Sequence, residues 1–216
     1  MHPALVIGGA AVCGAGAGAA CIPIVNRYLK KLEKNKLSVK GCALFIAVLS
    51  LLWAAVFAVK GRDASALLLA LSTSALLSLS LIDWKTYEIP FAYNVFIFAL
   101  GVIALVFDLT HWYEYVIGFF AVSLPLLALF YISKGTAIGG GDVKLMAACG
   151  MLLGWKLILL GFVLGCIIGS VVHILRMKIS GEKHVLAMGP YLSVGVFVCA
   201  LFGNAAITWY LSMLHL

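Results

Sequence analysis

The chain has 216 residues, 64% of them hydrophobic and only 11% charged, with a mean hydropathy of +1.15. That composition excludes a water-soluble domain and describes an integral membrane protein of a length suited to one compact helical bundle. Lys and Arg outnumber Asp and Glu by 15 to 8; in a membrane chain this excess reads as loop orientation, not as a nucleic-acid footprint.

In chain order, the first apolar stretch, 3–25, is long enough to cross a hydrocarbon core that takes ~20 residues. Its small residues, Gly14 through Ala20, suit close helix packing. No basic segment precedes it and one follows, so it is expected to stay as a transmembrane helix and not to be a cleaved signal. Segment 26–40 holds Arg27, Lys30, Lys31, Lys34, Lys36 and Lys40 against the single acid Glu33. The positive-inside rule puts this segment in the cytoplasm and the N-terminus outside. Further spans are expected at about 41–59, 64–82, 90–107 and 114–132, the last returning the chain to a glycine-rich turn on the cytoplasmic side. A helix over 143–153 is too short to cross a core of ~30 Å unaided. Segment 157–175 crosses again, 176–184 is basic and cytoplasmic, and 185–214 includes a final outward span.

The fold expected is an all-α polytopic membrane bundle of about eight transmembrane helices, one of them short. It forms a single membrane-embedded domain over 1–216, with the acids carried in 41–175. Only Lys60, Arg62 and Lys156 among the 15 basic residues then fall outside.

Two acidic stretches stand out against this background. Gly139, Gly140 and Gly141 strip the backbone of side chains just ahead of Asp142, so left-handed dihedrals and close backbone approach are expected there. An acid at membrane depth belongs in the protein interior or a wet cleft, although the pattern alone equally describes a capped helix start. In the second stretch, Asp83 to Pro90, the residue before the proline is biased away from helix. The third span is therefore expected to end near Asp83 and the fourth to begin at Pro90. Taken alone, Asp83 reads as a surface carboxylate beside Lys85 or Lys144.

The topology puts both acids on one membrane face, where two neighbouring carboxylates would share a proton. One then polarises a peptide carbonyl and the other takes a proton from the attacking water, with no metal required. The helix ends assign Asp83, at a C-terminus, as the resting acid and Asp142, at an N-terminus, as the resting base.

Three motifs in order resemble a known family. Asp83 with Ile89-Pro90, Gly139 to Leu145 with Gly150 and Leu153-Gly154-Trp155 behind it, and Met188-Gly189-Pro190-Tyr191-Leu192 are similar to the type IV prepilin peptidases. These are GxGD intramembrane aspartyl proteases, related to the archaeal preflagellin peptidases, and the resemblance covers roughly 76–195. It implies that Asp83 and Asp142 are catalytic and that Gly139 and Gly141 are the motif glycines. Gly140, Lys144 and Pro90 would shape the site, with Gly189 and Pro190 facing it.

The implied partners are the lipid bilayer and a prepilin or pseudopilin, whose basic leader is cut on the cytoplasmic side just before its hydrophobic helix; nucleic acid is not among them. The location implied is the cytoplasmic membrane. Glu88 and Glu182 are placed to attract a basic leader, though each also reads as a solvated surface acid. Peptidase activity implies no cofactor and no metal. Longer members methylate the new N-terminus with S-adenosylmethionine, a role attributed to a cysteine-paired cytoplasmic region. Here that region is only 26–40 and has no cysteine, so methylation is left open. The family often has Asn after the proline, whereas this chain has Phe91 and then Asn94.

The competing reading is a proton-coupled transporter or channel using the same acids, but the inverted repeat such proteins often carry is not evident. The six cysteines read as small buried apolar residues, not as a zinc site or a disulfide framework. His173 reads as packed or interfacial, His2, His111 and His215 as surface residues, and His184 as near the cytoplasmic edge. Trp53, Trp84, Trp112, Trp155 and Trp209 read mostly as anchors near span ends.

Overall fold

A computed structural model describes residues 3–136, 138–180 and 186–213, and all regular structure among them is helical. His2, Glu182, Lys183, His184 and His215 lie outside the described residues. Contacts gather into two compact units, one ending at Glu88 and the other beginning at Ile89.

The first unit holds α1 (Pro3–Lys31), α2 (Val39–Lys60) and α3 (Ala64–Thr86). α1 and α2 are antiparallel neighbours joined through the predicted small residues. A methyl group on Gly14 would fall 2.8 Å from Trp53 Cβ, and one on Gly18 3.1 Å from Ile46 Cα, while Ser50 Oγ donates to the Ala11 carbonyl at 2.8 Å. Gly14 and Gly18 are one turn apart, the small-xxx-small spacing that lets two helices approach closely.

α1 outruns its predicted span, since the chain stays helical through Asn26–Lys31. Neither proline nor glycine lies within Asn26–Lys31, and Lys30 and Lys31 in the last turn complement the negative helix end. The real loop is short: Glu33 turns left-handed (φ 55°), Asn26 Oδ1 accepts from Leu37 N–H at 2.9 Å, and Ser38 caps α2 by accepting from Gly41 N–H at 3.1 Å. Trp53 departs from the expectation for the tryptophans. It is buried in the middle of α2, where its indole N–H donates to Ser74 Oγ of α3 at 2.9 Å.

α3 carries an unusual load of buried hydroxyls. Ser72 and Thr73 both donate to the Leu69 carbonyl, at 2.8 and 2.7 Å, and Ser78 donates to Ser74 O at 2.7 Å. Bonding back to their own helix satisfies these hydroxyls without water, so an apolar surrounding costs them little.

The second unit comprises α4 (Phe91–Phe107), a 3-10 turn at Leu109–His111, α5 (Trp112–Ala121), α6 (Ser123–Ile132), α7 (Gly140–Leu153), α8 (Trp155–Ser180) and α9 (Gly189–Met213). The span expected over 114–132 is two helices meeting at Val122. Pro125 explains the break, because it has no N–H to offer and its ring crowds the carbonyl four residues back, at Ala121.

α4 and α7 run parallel. Lys144 lies beside Phe91 near their N-terminal ends, and further along a methyl group on Gly101 would fall 2.8 Å from the Met151 carbonyl carbon. α5 lies antiparallel to α7 with Gly118 against Gly150, so closely that a methyl group on either would overlap the other's carbonyl oxygen. Gly161, Gly165 and Gly169 form a seam on α8, along which α9 packs through Val196, Leu192 and Tyr191. α8 extends to Ser180, so part of the basic segment expected as loop is helix.

Among the described residues, six stretches are long and apolar enough to cross a bilayer: Ala4–Lys31, Val39–Lys60, Ala64–Thr86, Leu109–Ile132, Trp155–Ile179 and Gly189–Met213. α4 is a shorter apolar helix, and α7, with 14 residues, is only ~21 Å long, as its sequence predicted. Large apolar side chains face outward, Val12 at 74% exposure, Ile132 at 80% and Ile179 at 83%. A water-soluble fold buries such residues. The molecule is a polytopic helical membrane protein.

Candidate active site

The glycine-rich turn is built within the second unit. α6 ends in a turn where Lys134 and Gly135 take φ of 52° and 76°, and Gly135 N–H bonds the Phe130 carbonyl at 2.8 Å. The left-handed dihedrals expected of Gly139–Gly141 are therefore supplied earlier, and none of these three has a positive φ. Their lack of side chains serves close approach instead. A methyl group on Gly141 would lie 3.0 Å from Ile89 Cβ, and one on Gly140 would touch the Phe130 ring. The turn is thus held between Ile89, which precedes the buried Pro90, and Phe130. Neither contact was foreseen from sequence, because no spacing pattern links these three segments.

Gly139 is the N-cap of α7, so Asp142 sits in the first turn of that helix and not ahead of it. Its carboxylate leans back over the cap, with Oδ2 3.1 Å from where a Gly139 Cβ would stand. Unpaired backbone N–H groups and the positive end of the helix dipole favour an anion at this place. Lys144, two residues on, turns elsewhere: it is exposed, with Nζ 5.2 Å from the centroid of the Phe91 ring.

Asp83 belongs to the first unit. α3 continues past it to Thr86 and stops at Tyr87, which takes φ 57° and donates its N–H to the Asp83 carbonyl at 2.8 Å. The side chain of Asp83 is not the surface carboxylate it resembled in isolation, for the residue is only 4% exposed. It lies in the last turns of its helix, where the dipole is negative and the neutral acid is favoured. Glu88 is exposed, and Lys85 Nζ reaches the Asn35 carbonyl at 3.5 Å.

Gly189 and Pro190 open α9, whose next residues, Tyr191 and Leu192, lie on α8 at Gly165 and Gly169. The cysteines divide: Cys149 and Cys199 are buried, Cys13 is exposed, and Cys21, Cys42 and Cys166 are intermediate. His173 is half-buried in α8.

Beside Lys144 the second unit opens into a groove of about 260 Å³ between α4, α5 and α7, with Lys144, Asn94, Val95, Phe98, Phe119 and Ala148 on its walls. Asn94, noted in sequence only as displaced from the position after the proline, is 3% exposed, and neither of its amide atoms has a hydrogen-bond partner among the described residues. A buried amide left this way costs about 1–3 kcal/mol.

Residues 70–174, which include both aspartates, Pro90 and the glycine turn, match the type IV leader peptidase family. Several similar proteins bear the name prepilin leader peptidase/N-methyltransferase. The one from Pseudomonas putida is 28% identical over 186 residues, covering 79% of this chain and 62% of the relative. The one from Stutzerimonas stutzeri is 30% identical over 155 residues, 68% and 53% of the two chains. That from Aeromonas salmonicida is 30% identical over 103 residues, 45% and 35%. The chain thus spans about a third to three-fifths of the length of these relatives. No solved structure matches. Over residues 70–174, the chain is similar to the type IV leader peptidase family.

Proposed function

We propose that the protein is a membrane aspartyl endopeptidase that removes the basic leader from a type IV prepilin or prepilin-like protein at the cytoplasmic face of the cell membrane. The family match that spans both acids carries this reading. The local settings of the two acids support it: Asp83 buried at the end of α3, Asp142 on the first turn of α7.

In the proposed reaction Asp142, as the anion, takes a proton from a water molecule while Asp83, as the neutral acid, donates one to the scissile carbonyl oxygen. The hydroxide adds to the carbonyl carbon. Collapse of the tetrahedral intermediate breaks the C–N bond, Asp142 delivers its proton to the leaving amine, and Asp83 recovers its own from the hydroxyl. The charges at the two helix ends favour this division of roles. Infrared titration of labelled carboxyls tests it, and finding the proton on Asp142 at neutral pH would reverse it. The relatives' names pair leader peptidase with N-methyltransferase; for this chain only cleavage is proposed, and the mass of the new N-terminus reports methylation.

The test is co-expression with a prepilin carrying a basic leader and a Gly at the cut, followed by gel shift and N-terminal mass spectrometry. Asp83→Asn and Asp142→Asn are each expected to lower cleavage by about 10²–10⁴-fold while still inserting in the membrane. Cleavage that survives in either variant removes that residue from the pair. Failure of the parent protein to cut any leader would favour the transporter reading.

A further inference from the structure

We propose that the groove between α4, α5 and α7 binds an anionic phospholipid. The headgroup phosphate lies on Lys144, the glycerol-ester region at Asn94, and one acyl chain runs along Val95, Phe98 and Phe119.

The order of chemistries along the groove carries the assignment. Because α4 and α7 run parallel, the groove has a polar end, where Lys144 stands over Phe91, and an apolar end one to two turns further along both helices. Between the two lies Asn94, whose amide nitrogen and oxygen have no partner among the described residues. Cation, amide and apolar wall follow one another in the sequence in which a phospholipid presents phosphate, ester and hydrocarbon. The ester carbonyl accepts from the Asn94 amide nitrogen. Both amide atoms are buried, so the side chain has to turn toward the groove for the lipid to reach them.

Charge complementarity selects the anion. Lys144 is the one charged residue on the groove's walls, and its only polar contact among the described residues is with the Phe91 ring. Size selects a chain over a protein segment. A volume of about 260 Å³ holds on the order of nine groups the size of a water molecule, which suits part of one acyl chain. A transmembrane helix, ~10 Å across, could lay only single side chains into it.

The measurement is lipid retention by the purified full-length protein in detergent. After delipidation, dioleoyl phosphatidylglycerol or the zwitterionic dioleoyl phosphatidylcholine is titrated in, and bound lipid is counted by native mass spectrometry. The parent protein is expected to hold the anionic lipid about fivefold more tightly. Lys144→Gln is expected to abolish that preference while leaving residual binding of both lipids. Val95→Trp, made from a half-exposed wall position, is expected to fill the groove and reduce both. Asn94→Leu weakens the anionic lipid. Monodisperse elution of each variant shows that it is folded.

Equal retention of the two lipids by the parent overturns the proposal, as does an unchanged preference in Lys144→Gln. Displacement of bound lipid by a peptide copying a prepilin's apolar segment would identify the occupant as peptide and also overturn it. Because the readout is binding, the result stands whether or not the protein cleaves a leader.

Discussion

Gly141 and Gly139 lie two residues apart, yet a side chain added at each would do different damage. At Gly141 a methyl group meets the branched Cβ of Ile89, so Gly141→Ala is an overpacking change that should cost about 1–3 kcal/mol in thermal unfolding. Ile89→Ala in the same chain should restore part of that loss, which a purely conformational effect would not allow. At Gly139 the added methyl meets the Asp142 carboxylate and otherwise just grazes the Gly141 nitrogen at 4.0 Å, so Gly139→Ala should leave the melting temperature nearly unchanged and lower leader cleavage. At the end of α4, the His111 ring nitrogen 2.9 Å from Asp108 Oδ1 holds that carboxyl below its ordinary value of 3.8. A depressed carboxylate stabilises above its unfolded pKa and loses that contribution as pH falls through its folded one. The melting temperatures of the parent and Asp108→Asn should therefore differ at neutral pH and converge as pH falls below 3.8.

The elements are positioned by backbone contact and by single polar bonds as much as by greasy faces. α5 and α7 meet at Gly118 and Gly150 with no room for a Cβ on either side, so Gly118→Val should separate them and destabilise the second unit by more than 1 kcal/mol, read by thermal unfolding in detergent. In the first unit, Trp53 and Ser74 tie α2 to α3. Ser74→Ala would leave a buried indole N–H without its acceptor and should cost about 1–3 kcal/mol; Trp53→Phe made in that background should add little for the lost bond. These element-level facts were partly legible beforehand. The i, i+4 glycines of α1 announced a close helix contact, but nothing in the spacing said that Gly14 and Gly18 would face α2 while Gly8, Gly9 and Gly16 meet no neighbour. The division of the single span expected over 114–132 into α5 and α6 was missed, although Pro125, whose cost to a helix falls four residues upstream, carried the signal.

Over the whole molecule, the topology drawn from charge is open to a direct check. A cysteine introduced at Asn35 should react with an impermeant maleimide only after the membrane is opened, and one at Gly61 should react in intact cells; the reverse pattern would invert every span. Hydropathy and charge are sums over neighbouring residues, so the polytopic membrane class and the shortness of α7 could be read along the chain. So could the helix ends at which the two aspartates stand, because Ile89-Pro90 and the three glycines act on their own neighbourhoods. Burial and partners are set by residues far apart in sequence. Only the tertiary structure could turn Asp83 from an apparent surface acid into a buried one, place Trp53 inside the first unit, or press Ile89 and Phe130 against the glycine turn. It alone lined up Lys144, Asn94 and an apolar wall in one groove, since α4 and α7, some fifty residues apart, share no local signal and are brought side by side by the packing of helix against helix.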